Sequence, residues 1–247
     1  MNEGSAVVFG ATSSIVRHAA LELVRRGWRV CLCGRDLEEL ERIAGDMRVR
    51  TGAEVIVEEF HADKVDVFPT FWAHLKETMP DLRGVLIGFG EMGSVEQAFE
   101  SPEHVQEVLT VNFNAPAALI MLAANDFAEQ RYGWIAAIGS VAGDRGRQGN
   151  FLYGSAKGAL ALLLQGLRAR LNNSNVRVIT IKPGFVDTPM TFGKKGVFLA
   201  AHPKTVGKKI VAAVYGHKEV LYIPGIWRYI MAIVRAIPEP IFKRMKF

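Results

Sequence analysis

The 247-residue chain is poor in cysteine and has no long uncharged apolar run. Its only cysteines, Cys31 and Cys33, stand two apart. On a strand they share a face and are too close in sequence to staple the fold. No partners at ligand spacing surround them, so no metal site is expected. No stretch reaches the roughly 18–20 apolar residues of a membrane-spanning helix. Met1-Asn2-Glu3-Gly4 leads directly into an apolar run, without the basic segment and cleavage site of a secretory signal. A reducing cytoplasm is therefore the expected setting. Repeats, low-complexity tracts and Ser/Gly linkers are absent too, and no nucleic-acid partner is expected. What is present is an ordinary globular composition, 49% hydrophobic and 22% charged. The charge is unevenly placed. Residues 194–247 hold 11 Lys/Arg against Glu219 and Glu239, while the rest is mildly acidic. One end is thus suited to an anionic partner.

Apolar runs and helical periodicities alternate along the chain. Strands are expected at 5–9, 28–33, 54–60, 84–88, 134–138, 176–181 and 220–223. Helices are expected at 14–26, from Asp36 onward, and at 66–79, 102–130, 150–171 and 204–215. Most strands are apolar without alternation, as in a parallel sheet covered on both faces. Right-handed crossovers then make an α/β, doubly wound, Rossmann-type sheet with ligands at the carboxyl ends of its strands. Residues 1–222 read as this domain and 223–247 as a C-terminal tail helix.

The first strand ends in Gly10-Ala11-Thr12-Ser13-Ser14-Ile15-Val16. Gly10 permits a tight turn, and Thr12, Ser13, Ser14 and Ile15 open a helix whose N–H groups can meet a phosphate. Ser14 and Val16 stand where such turns usually carry glycine, and Val16 is expected to push the helix slightly off the sheet. Arg35, after the second strand, can pair with the 2′-phosphate of NADP, leaving Asp36 as a helix cap. NADP is thus favoured, with NAD open. Asp63, after the third strand, is placed to touch the adenine.

Tyr153 and Lys157 lie one helical turn apart in Tyr153-Gly154-Ser155-Ala156-Lys157. Ser140 lies thirteen residues before Tyr153, just past the fifth strand, and Asn112 lies within the helix after the fourth. Pro183-Gly184-Phe185-Val186-Asp187-Thr188 follows the sixth. With these residues, the sequence resembles the short-chain dehydrogenase/reductase family over essentially all of residues 5–223. The resemblance implies an oxidoreductase in which Tyr153 protonates a substrate carbonyl while hydride arrives from the nicotinamide. Lys157 would hold the nicotinamide ribose and lower the Tyr153 pKa. Ser140 would donate to the carbonyl oxygen and Asn112 hold a water. Pro183, Gly184, Val186 and Thr188 would pack on the nicotinamide. One departure lies after the fourth strand, where Ile87-Gly88-Phe89-Gly90 keeps only Gly90 of the family's usual pattern. A dinucleotide sensor or scaffold of the same fold is the non-enzymatic alternative.

Between Ser140 and Tyr153, Arg145, Arg147, Gln148 and Asn150 are expected to form a polar, basic wall for a polyhydroxylated or phosphorylated substrate. In the tail, Arg228 and Arg235 share a face among Trp227, Ile230, Met231, Ile233, Val234 and Ile237, with Lys243, Arg244 and Lys246 beyond. This reads either as an interfacial helix on anionic lipid at the inner face of a membrane or as a core or subunit-interface helix. Ser140–Arg147, the early Gly-Ala-Thr-Ser-Ser-Ile turn and the tail are similar to decaprenylphosphoryl-2-ketoribose reductases. That narrower resemblance implies a lipid-linked sugar substrate, a partner flavin oxidase and use of NADH. A soluble NADPH-dependent ketoreductase of small carbonyl or acyl substrates is the alternative. The apolar helix 156–167 points to a homodimer or homotetramer.

Overall fold

The computed structural model describes residues 3–189 and 198–245. Lys194, Lys195 and Lys246 of the expected basic segment lie outside these. The strands are β1 (Ser5–Phe9), β2 (Arg29–Gly34), β3 (Val55–Glu59), β4 (Leu82–Ile87), β5 (Gly133–Ile138), β6 (Val176–Pro183) and β7 (Val220–Ile223). They form one sheet in the order β3-β2-β1-β4-β5-β6-β7, every neighbouring pair parallel. The order reverses beside β1, so the carboxyl ends of β1 and β4 flank the crevice where such sheets bind ligands.

The helices α1 (Ser14–Arg25), α2 (Leu37–Thr51) and α8 (Pro203–Tyr215) cover one face. Val16, Leu23, Leu40 and Ile210 pack there on Val8 and Leu32. The other face carries α3 (Phe68–Thr78), α6 (Ala115–Gln130) and α7 (Phe151–Leu171), with Trp72, Phe127 and Leu164 buried against Phe9 and Ile135. Local chemistry sets the helix ends. Asp36 accepts from the Glu39 N–H at 3.0 Å and caps α2, and Gly52 closes it at φ +68°. Ser94 and Ser101 cap α4 (Val95–Glu100) and α5 (Pro102–Leu109).

The expected helix over 102–130 is interrupted by a π-helical turn, Thr110–Asn114, which carries Asn112. By length and composition this run would suffice to cross a membrane. Its Leu119, Ile120, Ala123 and Phe127 are instead buried against the sheet. The tail forms α9 (Trp227–Ala236) and α10 (Glu239–Phe242). One side of α9 buries Trp227 and Met231 with Val141. The other exposes Tyr229 and Ile233, and Ile226 stands exposed just before the helix.

Candidate active site

Three glycines bring the catalytic candidates together. After β5, Ser140 caps the 3₁₀ turn Val141–Asp144, its Oγ accepting from the Ala142 N–H at 3.0 Å. That turn lies directly on the backbone of α7. A Cβ on Gly143 would stand 2.6 Å from the Gly158 nitrogen. On Gly154 it would stand 2.9 Å from the Ala142 oxygen, and on Gly158 3.0 Å from the Gly143 oxygen. The close approach needs residues without side chains, and it sets the Ser140 hydroxyl in a hydrogen bond with Tyr153. Lys157 donates from Nζ to the Ile138 carbonyl at 3.2 Å and lies 5.7 Å from the Tyr153 ring centroid. Asn112 is fully buried. Its Nδ2 donates to the Glu91 and Val108 carbonyls at 2.8 and 2.9 Å, and its Oδ1 accepts from the Glu91 N–H at 3.3 Å. It therefore clamps the segment after β4, leaving Gly90 wedged between Asn112 Oδ1 and Lys157 Nζ.

Electrostatics depart from the expectation that Lys157 lowers the Tyr153 pKa. Burial pushes the phenol up to about 12, opposed by the Ser140 hydrogen bond. Burial also pulls Lys157 down to about 8. In this dry setting desolvation dominates both groups.

A cleft of about 510 Å³ runs from these residues to the start of α1, lined by Thr12, Ser13, Ser14, Ile15, Pro183, Gly184, Val186 and Thr188 together with Ser140, Tyr153 and Lys157. It fits a dinucleotide by one internal test. Ser14 Oγ is buried in it without a hydrogen-bond partner among the described residues, at the N-terminus of a helix. Gly10 turns beneath it at φ +80°, where a Cβ would come within 2.7 Å of the Phe89 nitrogen. The cleft also admits Arg17, Phe89 and Gly139, which the sequence did not single out. Arg17 follows the turn by one residue, and that basic neighbour was the available signal. Arg35 and Asp63 stand exposed past β2 and β3.

A second cavity of about 430 Å³ shares Tyr153 with the cleft and is lined by Ser94, Glu96, Gln148 and Asn150. The expected basic wall is absent from both cavities. Arg145 turns onto the tail instead. Its Nη1 donates to the carbonyls of Arg235 and Ile237, each at 2.9 Å, and its Nη2 pairs with Glu239 at 2.8 Å, with the guanidinium 4.1 Å from the Phe242 ring centroid. The carbonyls ending α9 are a ready acceptor for a cation, and they outcompete a solvent-facing position. Arg147 is half-buried within Coulombic reach of Asp144. Asp144 itself accepts from Lys182 and, at 2.8 Å, from Tyr222 Oη, tying the Ser140 turn to β6 and β7. The wall is therefore polar and without a cation, with Gln148 and Asn150 on this loop and Glu96 facing them.

A family model for short chain dehydrogenases matches residues 5–195. An uncharacterized oxidoreductase of Streptomyces coelicolor is 32% identical over 98% of this chain and 95% of its own. A short-chain dehydrogenase from Sphingobium yanoikuyae in complex with NADPH superposes with a TM-score of 0.80 at 22% identity, covering 96% of this chain and 97% of that one. An NAD+-bound xylitol dehydrogenase superposes at 0.79 and 20% identity, covering 90% and 98%. With the family model spanning most of the chain and a relative matching it end to end, the chain belongs to the short chain dehydrogenase family of oxidoreductases.

Proposed function

We propose that the protein is an NADPH-dependent ketoreductase in which Tyr153 delivers the proton to the substrate carbonyl oxygen. The observation that carries this reading is the convergence of the Tyr153 phenol, the Ser140 hydroxyl and the Lys157 ammonium on a cleft that runs back to the unpartnered Ser14 Oγ. When bound, the nicotinamide supplies hydride. The chain's own residues do the rest. A phenol pushed up to about 12 is fully protonated at neutral pH, the form that donates during reduction. Ser140 shares a hydrogen bond with it and is placed to hold the carbonyl oxygen. Lys157, fixed by the Ile138 carbonyl, would hold the nicotinamide ribose. Asn112 acts through Gly90 by fixing the segment after β4.

Thr12, Ser13, Ser14 and Ile15 would cradle the pyrophosphate, with Pro183, Gly184, Val186 and Thr188 as the opposite wall. NADPH is favoured over NADH because Asp36 spends its carboxylate on the α2 cap, while Arg35 and Arg17 have no ion-pair partner among the described residues. Asp63 would reach the adenine. No described residue singles out a lipid-linked pentose or a flavin oxidase partner, so the reading stays at a keto group on a small molecule. The test is cofactor binding and ketone turnover by wild type and Tyr153→Phe. The expected outcome is unchanged NADPH binding with turnover reduced by at least ~100-fold in the variant. Full activity in Tyr153→Phe overturns the assignment.

A further inference from the structure

We propose that the second cavity beside Tyr153 is a subsite for an uncharged, polyhydroxylated carbon chain, which makes the substrate a ketose or a similar hydroxylated ketone. The inference rests on the ketoreductase reading for its reacting end and on separate residues for its specificity. Tyr153 lines both cavities, so this space adjoins the residue at which the carbonyl is reduced. About 430 Å³ accommodates a chain of several carbons with its hydroxyls.

The walls are rich in hydrogen-bonding groups. Asn150 Oδ1 is buried and has no partner among the described residues, an acceptor awaiting a donor. Gln148 makes only a 3.5 Å contact to the Met245 carbonyl, leaving its amide largely unspent. Across the cavity, the Glu96 carboxylate accepts from Ser94 Oγ at 2.8 Å and from its own backbone N–H. Acceptors of this kind suit hydroxyl hydrogens. No lysine or arginine lines the cavity, and Arg145, the nearest expected cation, is engaged with the tail. A phosphate there would meet Glu96 without compensation. On the same two segments, Phe99 and Phe151 form an exposed aromatic pair with centroids 5.8 Å apart. Phe99 lies one helical turn from Val95 and Glu96, and Phe151 directly follows Asn150. An apolar ring face beside amide and carboxylate groups matches the two chemistries of a sugar, its C–H surface and its hydroxyls.

The experiment compares kcat/KM for an unphosphorylated ketopentose, its terminal phosphate ester and a straight-chain pentanone, in wild type, Asn150→Ala and Glu96→Ala. In parallel, the corresponding pentitol is titrated calorimetrically into each full-length protein, with and without NADPH. The ketopentose is expected to exceed both comparators by at least ~10-fold. Each variant is expected to lower the ketopentose-to-pentanone ratio by ~10-fold, the scale of one lost hydrogen bond to substrate. Preference for the phosphate ester or the pentanone, or a ratio that neither variant moves, overturns the subsite while leaving the reductase reading intact. If no ketone is turned over, the reductase reading fails. The subsite then stands if the pentitol binds wild type and both variants weaken it, and falls otherwise.

Discussion

Lys157 is a buried cation with one hydrogen bond, to the Ile138 carbonyl, and no buried carboxylate beside it. Its pKa of about 8 against an ordinary 10.5 means that the folded protein holds this proton more weakly than the unfolded chain. Below pH 8 the cost of burying the charge is present in full. Between pH 8 and 10.5 the unfolded chain binds more protons, so this group raises stability as pH rises. Lys157→Met keeps the side-chain volume and removes the charge. It is expected to stabilise the protein by about 1–3 kcal/mol at pH 7 while abolishing turnover. The stability gap to wild type should narrow between pH 8 and 10, since every other titrating group is common to both proteins. Chemical denaturation across that range checks the sign. A variant less stable than wild type at pH 7, or a gap that widens with pH, would show that Lys157 is well compensated. Tyr153 shifts the other way, and a sequence reading that weighs only the neighbouring charge misses how completely both groups leave water.

At the scale of elements, two departures from the family pattern prove to be one packing solution. Val16 stands in α1 where phosphate turns commonly carry glycine, and Gly88 follows β4. A Cβ on Gly88 would come within 2.2 Å of Val16 Cγ2. The valine occupies the room that the glycine leaves, and it is fully buried. Gly88→Ala is therefore expected to cost about 1–3 kcal/mol through overpacking. Val16→Gly should cost a similar amount through a cavity and a flexible helix residue. The double variant should recover at least ~1 kcal/mol relative to the sum. Strict additivity in urea denaturation would sink the pairing. This coupling was not legible in the sequence because the two residues are 72 positions apart and meet only when β1 and β4 pair. The strands and most helices were legible, since each declares itself by a local apolar run or a cap such as Asp36. The π turn at Asn112 and the short α4 were not, because neither changes the apolar period around it. The same limit explains Arg145. Its local sequence shows a basic loop, whereas its partners are carbonyls some 90 residues later.

Across the whole molecule, the cofactor cleft joins parts of the chain far apart in sequence, from Thr12 in the turn before α1 to Thr188 beyond β6. A ligand that bridges them and binds only the folded state stabilises the entire protein by mass action. At a concentration 100 times its Kd this amounts to about 2.7 kcal/mol. For a chain of 247 residues, each kcal/mol moves the melting temperature by about 2–4 °C. NADPH at that excess should therefore raise Tm by about 5–10 °C. At the same concentration NADH should raise it less, because only the 2′-phosphate can engage Arg35 and Arg17. Both are solvent-accessible and carry no ion-pair partner among the described residues. Their contribution is consequently screened by salt, and the NADPH–NADH difference should shrink between 50 mM and 500 mM NaCl. Replacing both arginines by alanine should leave two equal shifts, since the pyrophosphate cradle and the nicotinamide wall are common to the two cofactors. Equal shifts in the wild type would place the discrimination elsewhere. A larger shift with NADH would mean that an acceptor past β2 or β3, such as Asp63, binds the ribose hydroxyls in preference to the arginines' phosphate.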